Sequence, residues 1–278
     1  MTDPGKQLLV ATDLDRTMIY SRAAFRAAEV EAVCVEYLDG APLSYMTTTA
    51  ENLLRDLALT AVVVPTTTRT IEQFQRIRLP GEPWRYAITS NGGNILVDGV
   101  PDLRWRETID AAVHVDGASL TQVAHALRAR IDDTWVTKFR FADDLFCYLV
   151  VDPTAVPAGF LAAWDDWCRP RGWSASQQGR KIYTMPMAVC KSRAVAEIRE
   201  RLIGEGALDP AATTLAAGDG ALDAEMLAAV DAAIRPRHGE LEQLGWTCPG
   251  LTVTDADGIV AGEEILAWFA RSGSAVRV

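Results

Sequence analysis

The sequence contains few of the residues that form disulfides or zinc sites. It has 5 cysteines and 3 histidines among 278 residues. The cysteines are odd in number, lie far apart and include no C-x-x-C pair, so we predict neither a disulfide framework nor a zinc site. Basic residues are also outnumbered, at 27 against 37 acidic ones, which gives a net charge of −10. Because nucleic acids are bound through clustered basic side chains, a nucleic-acid partner is not expected.

Long apolar runs are absent as well, since no stretch of the sequence approaches the roughly 20 residues that a membrane-spanning helix needs. The opening segment MTDPGKQLLV carries an acid and a proline where a secretory signal would have basic residues and a longer apolar stretch. We therefore expect a cytoplasmic protein with no membrane partner. The content of 49% apolar and 23% charged residues is typical of a globular protein with a large core.

The distribution of apolar runs predicts two structural units. A length of 278 residues also favours two units, because single hydrophobic cores stop growing near this size. Apolar strands alternate with helical segments near both ends of the chain, which predicts an α/β fold: a doubly wound, mostly parallel, Rossmann-like sheet. The middle of the chain instead predicts hairpins and two helices, an α+β unit with an antiparallel sheet. We therefore predict a core of residues 1–104 and 186–278 with an inserted cap domain of residues 105–185.

An acidic motif directly follows the first predicted strand. Asp13-Leu14-Asp15-Arg16-Thr17 places two carboxyl groups two residues apart at a strand end. In such a pair, one carboxylate can act as a nucleophile while the other donates and accepts protons. An isolated Asp at this kind of junction is more often a helix cap or a turn residue, so the motif needs support from elsewhere in the chain.

A second acidic motif, GDGALD, supplies that support because it follows another apolar strand. It places Asp219 and Asp223 at a second strand end. Two acidic strand ends that meet in a parallel sheet would repel each other unless a divalent cation lay between them, and oxygen ligands alone favour Mg²⁺. The two motifs together therefore predict a magnesium site.

The order of motifs along the chain resembles that of the haloacid dehalogenase superfamily of phosphatases. The order is DxDxT, an apolar strand ending at Thr67, then Lys191, then GDxxxD. The insert resembles the large α/β cap of the subgroup that includes sucrose-phosphate phosphatase, mannosyl-phosphoglycerate phosphatase and Cof-type sugar-phosphate phosphatases. The turn SNGG at 90–93 is similar to the Ser-Asn-Gly turn of that family, so the resemblance covers essentially the whole chain.

The resemblance implies a phosphomonoester hydrolase that acts on a small phosphorylated metabolite, and in particular on a sugar phosphate. Asp13 would be the nucleophile and form an aspartyl-phosphate, while Asp15 would protonate the leaving oxygen and later activate water. Thr67 and Lys191 would bind the transferring phosphoryl group and offset its charge.

The same resemblance implies the residues that bind metal and substrate. Asp13, the backbone carbonyl of Asp15, and Asp219 would hold Mg²⁺. Asp223 would be either a further ligand or an anchor behind the ligands. The candidate substrate-binding residues follow the strand that ends at Thr67 or lie in the later turn: Thr68, Arg69, Asn91 and Gly92. An Asn-Gly turn also forms for backbone reasons alone, so Asn91 is equally well explained as a turn residue.

Three residues depart from the family pattern, and two of them keep other functions open. Lys191 is followed by Ser192 where Gly is frequent in the family. Arg16 replaces a glycine that is common in the family, and Leu222 replaces an Asn that usually precedes the last Asp. None of the three changes removes a primary catalytic group. The alternatives are a phosphomutase, or a non-catalytic protein that binds a phosphorylated ligand.

The predicted cap contains four basic residues that are candidates for contacting an anionic or hydroxylated substrate: Lys138, Arg140, Arg180 and Lys181. Basic residues on short strands usually lie on solvated faces, which is the ordinary explanation for them.

Overall fold

The structure, a computed structural model, describes residues 6–26 and 29–275. Within these residues the chain forms fourteen strands and nine α-helices. The strands are β1 (Lys6–Thr12), β2 (Ala32–Leu38), β3 (Ala41–Thr47), β4 (Val62–Pro65), β5 (Tyr86–Thr89), β6 (Asn94–Val97), β7 (Val100–Pro101), β8 (Val136–Ala142), β9 (Phe146–Val151), β10 (Trp173–Gln178), β11 (Lys181–Pro186), β12 (Leu208–Ala217), β13 (Ala232–Arg235) and β14 (Leu251–Val253). The helices are α1 (Thr48–Thr60), α2 (Ile71–Phe74), α3 (Leu103–Asp116), α4 (Leu120–Arg128), α5 (Phe160–Cys168), α6 (Lys191–Gly204), α7 (Ala224–Ala228), α8 (Glu240–Gln243) and α9 (Ile259–Ala275).

The largest sheet is parallel throughout and has the strand order β14-β13-β12-β1-β4. Its central strand β1 is buried on both faces. Leu8 and Val10 pack in one apolar cluster with residues of α1 and α9, whereas Leu9 and Ala11 pack in another with residues of α6. Side chains alternate between the faces of a strand, so helices on both sides explain why β1 is almost continuously apolar. The prediction of a doubly wound parallel core is confirmed.

Three strands of this sheet end side by side. Thr12, the last residue of β1, is paired with Ala217 of β12 on one side and with Pro65 of β4 on the other. The ladder continues one step further, because the Asp13 amide donates to the carbonyl of Ala217 at 2.8 Å and the Thr66 amide donates to that of Thr12 at 2.8 Å. The polar segments that follow β1, β4 and β12 therefore meet at one edge of the sheet.

A separate antiparallel sheet with the order β10-β11-β9-β8 forms the cap. Its core contains large aromatic side chains, among them Trp164 of α5, which is buried and donates from Nε1 to the Thr184 hydroxyl at 2.9 Å. The predicted antiparallel α+β unit is thus present. Its limits of 105–185 stay a prediction, and the sequence analysis did not foresee α3, which begins before the predicted boundary.

Two small antiparallel sheets flank the core. The hairpin β2–β3 packs against the parallel sheet through Val35 and Met46. Strands β5, β6 and β7 form a three-stranded sheet, and one isolated bridge between Thr66 and Ile88 connects it to the segment after β4. None of the helices in the described residues combines the length and apolar character needed to cross a bilayer.

Candidate active site

The centre of the site is a buried ion pair between the first acidic motif and α6. Asp13 directly follows β1 and is 5% exposed, and Lys191 is the first residue of α6 and is 1% exposed. The Lys191 ammonium donates to Asp13 Oδ1 at 2.6 Å and to Asp223 Oδ1 at 2.5 Å. A cation at a helix N-terminus opposes the helix dipole. The two carboxylates therefore stabilise Lys191 in a position that its own helix disfavours.

Three carboxyl groups meet at this point. Asp13, Asp219 and Asp223 are all buried and each offers an oxygen within 4.8 Å of the others. Burial raises the pKa of Asp13 to about 7, with Asp223 and Asp15 adding to the effect and Lys191 opposing it. Burial and the neighbouring Asp13 and Asp223 likewise raise the pKa of Asp219 well above its usual value. One ammonium does not neutralise three buried carboxylates, so the donor set fits a divalent cation bound through oxygen.

The loops hold the two later carboxylates by backbone hydrogen bonds. Asp223 Oδ2 accepts from the Gly220 amide at 2.9 Å, which closes the turn after β12. The carbonyl of Asp219 accepts from the Leu241 amide at 3.0 Å, so the first turn of α8 holds this loop from the other side. Main-chain contacts therefore hold the Asp223 carboxyl group directly, and they hold the backbone that carries the Asp219 carboxyl group.

Asp15 is bound by a guanidinium group. Arg69 donates from Nε and Nη2 to the two carboxyl oxygens of Asp15, both at 2.7 Å, and from Nη1 to Glu36 Oε1 at 2.7 Å. Burial acts to raise the pKa of Asp15, but the contacts with Arg69 outweigh it and lower the pKa below its usual value. The Arg69 guanidinium is thus engaged with two carboxylates, and the predicted substrate contact of this residue stays a prediction.

Glu36 is a residue of this network that the sequence analysis missed. It lies on β2 with no exposed surface, and it accepts a hydrogen bond from the Ser44 hydroxyl of β3 at 2.6 Å. A buried carboxylate needs a charged or hydrogen-bonding partner, and Arg69 supplies the charge. The one signal in the sequence was an acidic residue within a hairpin strand of mainly apolar residues, which also fits an ordinary solvent-facing position.

The segment after β4 is held in place by the turn after β5. Thr67 is completely buried, and its amide donates to the Ile88 carbonyl at 2.9 Å while its own carbonyl accepts from the Asn91 amide at 2.9 Å. Its hydroxyl accepts from the Arg69 amide at 3.1 Å. Thr68 is partly exposed and lines the cleft above the carboxylates. The structure therefore brings Thr67 and Thr68 to the same sheet edge as Asp13.

The Asn-Gly turn lies behind Lys191 and away from the cleft. Asn91 adopts a left-handed conformation with φ 58°, and its side-chain amide donates to the Val189 carbonyl at 3.3 Å. Gly92 has φ +97°, and a Cβ atom there would collide with the backbone carbonyl of Cys190. Both residues are buried against the segment that leads into α6. In this structure they support the backbone that positions Lys191, and their predicted substrate contact stays a prediction.

Replacing Gly92 by Ala should push the Asn-Gly turn and the backbone at Cys190 apart. A side chain at a left-handed position that also faces a backbone oxygen should cost about 3 kcal/mol of stability in all. Gly99→Ala is the matched control, because Gly99 also has a positive φ of +80° but nothing lies within 4 Å of its Cβ position; it should cost about 1 kcal/mol. Urea denaturation measures both, and equal losses in the two variants would contradict a packing role for Gly92.

A cleft of about 770 Å³ lies between the core and the hairpin β10–β11, and its lining includes Asp13, Asp15 and Asp219. Arg16 lines this cleft with a left-handed backbone of φ 62°, a conformation that favours glycine. Its Nε lies 3.6 Å from Asp219 Oδ2. Leu222 packs against the apolar core. This left-handed backbone is a physical reason to expect glycine at position 16, as the family resemblance does.

Comparison with solved structures assigns the fold. The chain has the fold of the capped phosphatases of the haloalkanoate dehalogenase superfamily, a parallel α/β core with a separate antiparallel cap. The sucrose-phosphatase of Synechocystis sp. PCC6803, solved with sucrose and phosphate, is 17% identical, with 95% of this chain and 98% of that chain covered and a TM-score of 0.66. A trehalose-6-phosphate phosphatase related protein is 16% identical, with 97% and 100% covered and a TM-score of 0.53.

A third structure names the superfamily directly. BT1666 from Bacteroides thetaiotaomicron, described among phosphatases of the haloalkanoate dehalogenase enzyme superfamily, is 12% identical with 97% of each chain covered and a TM-score of 0.52. No protein-family model matches the chain, and no curated protein matches it. The fold expected from the order of the sequence motifs is therefore confirmed.

Proposed function

We propose that the protein is a Mg²⁺-dependent phosphomonoester hydrolase that acts on a small soluble phosphorylated metabolite, and in particular on a sugar phosphate. The observation that carries this proposal is the buried cluster in which Lys191 bonds to Asp13 and Asp223 while Asp219 lies within 4.8 Å of both acids. Phosphoryl transfer requires in-line positioning and stabilisation of charge. A nucleophilic carboxylate, a fixed ammonium and a donor set for a divalent cation together provide these functions.

In the first step, a carboxylate oxygen of Asp13 attacks phosphorus and the bond between phosphorus and the ester oxygen breaks. The product is an aspartyl-phosphate, and the leaving oxygen takes a proton from the Asp15 carboxyl group. Asp15 can carry that proton only after its hydrogen bonds with Arg69, which keep it ionised, are released. Lys191 already bonds to Asp13 Oδ1 at 2.6 Å and offsets negative charge on the transferring group. The hydroxyl of Thr17 donates to Asp13 Oδ2 at 3.4 Å, which helps to hold the carboxylate in one orientation.

In the second step, Asp15 accepts a proton from a water molecule as that water attacks phosphorus. The bond between phosphorus and Asp13 then breaks, and inorganic phosphate leaves with the Asp13 carboxylate restored. The cap, proposed to comprise residues 105–185, lies over the cleft and limits the access of bulk water during the first step.

The metal would be held by Asp13, Asp219 and the backbone carbonyl of Asp15, with Asp223 held by Lys191 behind these ligands or acting as a ligand itself. When bound, Mg²⁺ supplies positive charge that offsets the charge of the phosphoryl group. The raised pKa values of Asp13 and Asp219 support this proposal, because a divalent cation would keep both groups ionised.

Removal of the metal tests the proposal directly. Turnover of p-nitrophenyl phosphate should fall to the background rate with EDTA and return with excess Mg²⁺. Without substrate, Mg²⁺ should also raise the melting temperature, because it would neutralise buried like charges. The Mg²⁺-dependent shift should be lost in Asp219→Asn and kept in Asp98→Asn, which changes an acid of the β6–β7 turn. Full turnover in EDTA would contradict the proposed cofactor.

The assay also separates the two alternatives from the hydrolase. A phosphomutase would be stimulated by a bisphosphorylated sugar and would release little inorganic phosphate. A non-catalytic protein would bind phosphate esters without turnover. The contact of Arg16 with Asp219 is the observation that favours the non-catalytic alternative. The Arg16 guanidinium lies 3.6 Å from a candidate metal ligand and would compete with the metal for that carboxylate.

A further inference from the structure

The cleft contains positive charges that the proposed phosphoryl site does not use. Five basic side chains line it, and three of them contact carboxylates: Arg16 lies near Asp219, Arg69 bonds to Asp15 and Glu36, and Arg76 lies near Glu36. The other two come from the cap and form no ion pair within the described residues. These are Arg180 and Lys181.

Lys181, the first residue of β11, is held against two aromatic rings. Its ammonium lies 5.6 Å from the ring centre of Tyr148 and 5.9 Å from that of Tyr183. Burial acts to lower the pKa of Lys181, but Tyr183 and Asp15 outweigh it and raise the pKa, so the group stays charged at neutral pH. Lys181 is an exposed residue, and cation–π contacts at exposed sites are weak, but they favour one position of the charge and do not neutralise it. Lys181 is therefore a positioned cation that lines the cleft beside Asp15.

Arg180 precedes Lys181 in the turn of the same hairpin. It interacts electrostatically with Asp152 but forms no ion pair with it. The main-chain carbonyl of Arg180 accepts from the Val151 amide at 2.8 Å, which fixes the turn to the neighbouring strand. The two adjacent cap residues therefore offer two cations at the wall of the cleft.

The hairpin that carries these cations is seated on the core. Gln178, the last residue of β10, packs its side-chain amide against Gly220, where a Cβ atom would fit only if the Gln178 side chain moved. Gly220 belongs to the loop that carries Asp219 and Asp223, and its amide donates to Asp223. This contact places the end of the hairpin, which carries Arg180 and Lys181, next to the loop of the candidate metal ligands.

We propose that Lys181 and Arg180 form an anion-binding subsite for the leaving group, so that the preferred substrate is a sugar phosphate with a second anionic group. That group is a carboxylate or another phosphate, since both accept charge-assisted hydrogen bonds. The subsite rests on the proposed hydrolase function, because the scissile phosphate must lie at Asp13 for the rest of the substrate to reach the cap. Asp15, the proposed proton donor to the leaving oxygen, interacts electrostatically with Lys181, which places this cation on the leaving-group side.

The test compares phosphate esters that have the same six-carbon skeleton and differ at C1, where they carry a hydroxyl, a carboxylate or a second phosphate. Glucose 6-phosphate, 6-phosphogluconate and glucose 1,6-bisphosphate are used as substrates and as competitors of p-nitrophenyl phosphate. A doubly anionic probe that gains a charge-assisted hydrogen bond should exceed glucose 6-phosphate about tenfold or more in kcat/KM and in competition. Equal values for the three probes, or no competition by either doubly anionic probe, would overturn the subsite. A gain for 6-phosphogluconate alone would identify the second group as a carboxylate, and a gain for the bisphosphate alone would identify it as a phosphate.

Substitutions assign the effect to the two residues. In Lys181→Gln and in Arg180→Gln, the ratio of kcat/KM for the better doubly anionic probe to that for glucose 6-phosphate should fall about fivefold or more. The matched controls are Arg128→Gln and Arg130→Gln, which remove equal charge from exposed positions at the end of α4 in the same cap, outside the residues that line the cleft. In these two control variants, the ratio of kcat/KM for the doubly anionic probe to that for glucose 6-phosphate should equal the ratio in the unsubstituted protein. A fall of similar size in the controls would show a general charge effect of the cap and would overturn the subsite.

The failure of the subsite and the failure of the proposed function give different results. If the protein hydrolyses p-nitrophenyl phosphate with Mg²⁺ but does not discriminate among the probes, the subsite is wrong and the hydrolase remains. If no substrate is hydrolysed, the hydrolase is wrong, and calorimetry with the same three probes and Mg²⁺ still measures the subsite. Tighter binding of a doubly anionic probe that is lost in Lys181→Gln would then support it, and equal or undetectable binding would overturn it.

Discussion

Asp13→Asn is expected to abolish hydrolysis of p-nitrophenyl phosphate, with a loss of about 10⁴-fold or more in kcat. The amide cannot attack phosphorus, and it also removes a negative charge from the proposed metal site. Because Asn is nearly the same size as Asp, the buried position of residue 13 should be filled without a cavity. Steady-state kinetics measures the loss, and circular dichroism shows that the fold persists.

Binding should survive this substitution, which distinguishes a chemical effect from a structural one. A phosphate ester should still bind to Asp13→Asn with Mg²⁺ present, as calorimetry would detect. Asp231→Asn is the control, since Asp231 lies just before β13 at the opposite edge of the sheet and accepts from the Thr214 amide at 2.7 Å. Turnover by Asp13→Asn within tenfold of the unsubstituted rate would rule out a nucleophilic role for Asp13.

Lys191→Met should reduce both stability and activity. The methionine fills much of the volume of the lysine, but it leaves Asp13 and Asp223 without the cation that now bonds to both. Breaking a buried ion pair by removal of one partner costs about 3–5 kcal/mol. The phosphoryl group would also lose a donor that stabilises charge, and this should lower kcat about 10²–10³-fold. Urea denaturation and steady-state kinetics measure the two effects separately.

Lys6→Met is the control for Lys191→Met. Lys6 is partly buried and donates to the backbone carbonyls of Ala58 and Ala61, far from the carboxylates in the fold. Its loss should lower stability by about 1–3 kcal/mol, because two carbonyls lose a charged donor, and should leave kcat unchanged. If Lys191→Met retained the full kcat, its role would be structural only.

The sequence predicted the parallel core because the physical signals for it are local. A run of apolar residues that ends in polar ones indicates a strand buried on both faces, and parallel neighbours place their carboxyl ends at one edge. That rule was sufficient to expect Asp13 near Asp219, and the structure brings their oxygens within 4.8 Å. The chemical roles of these residues stay predictions that the substitutions above test.

The features that the sequence did not predict depend on contacts between distant segments. Helix α3 is capped by Asp102, whose side chain accepts from the amides of Arg104 and Trp105, but the apolar residues of the helix form no clear stripe. The pairing of Arg69 with Glu36 joins residues 33 positions apart, and no local spacing encodes it. Likewise, the position of Gly92 against Cys190 depends on how the turn meets α6.

The Arg69 guanidinium joins three separate stretches of the core: the loop after β1 through Asp15, the hairpin β2–β3 through Glu36, and its own loop after β4. Every member of this junction comes from the core and none from the cap. A change in the shape of the cap would therefore leave the hydrogen bonds between Arg69 and Asp15 in place, although it would move Lys181, whose charge also acts on Asp15. Such a separation lets a single catalytic framework acquire new substrates by remodelling only the domain that covers it.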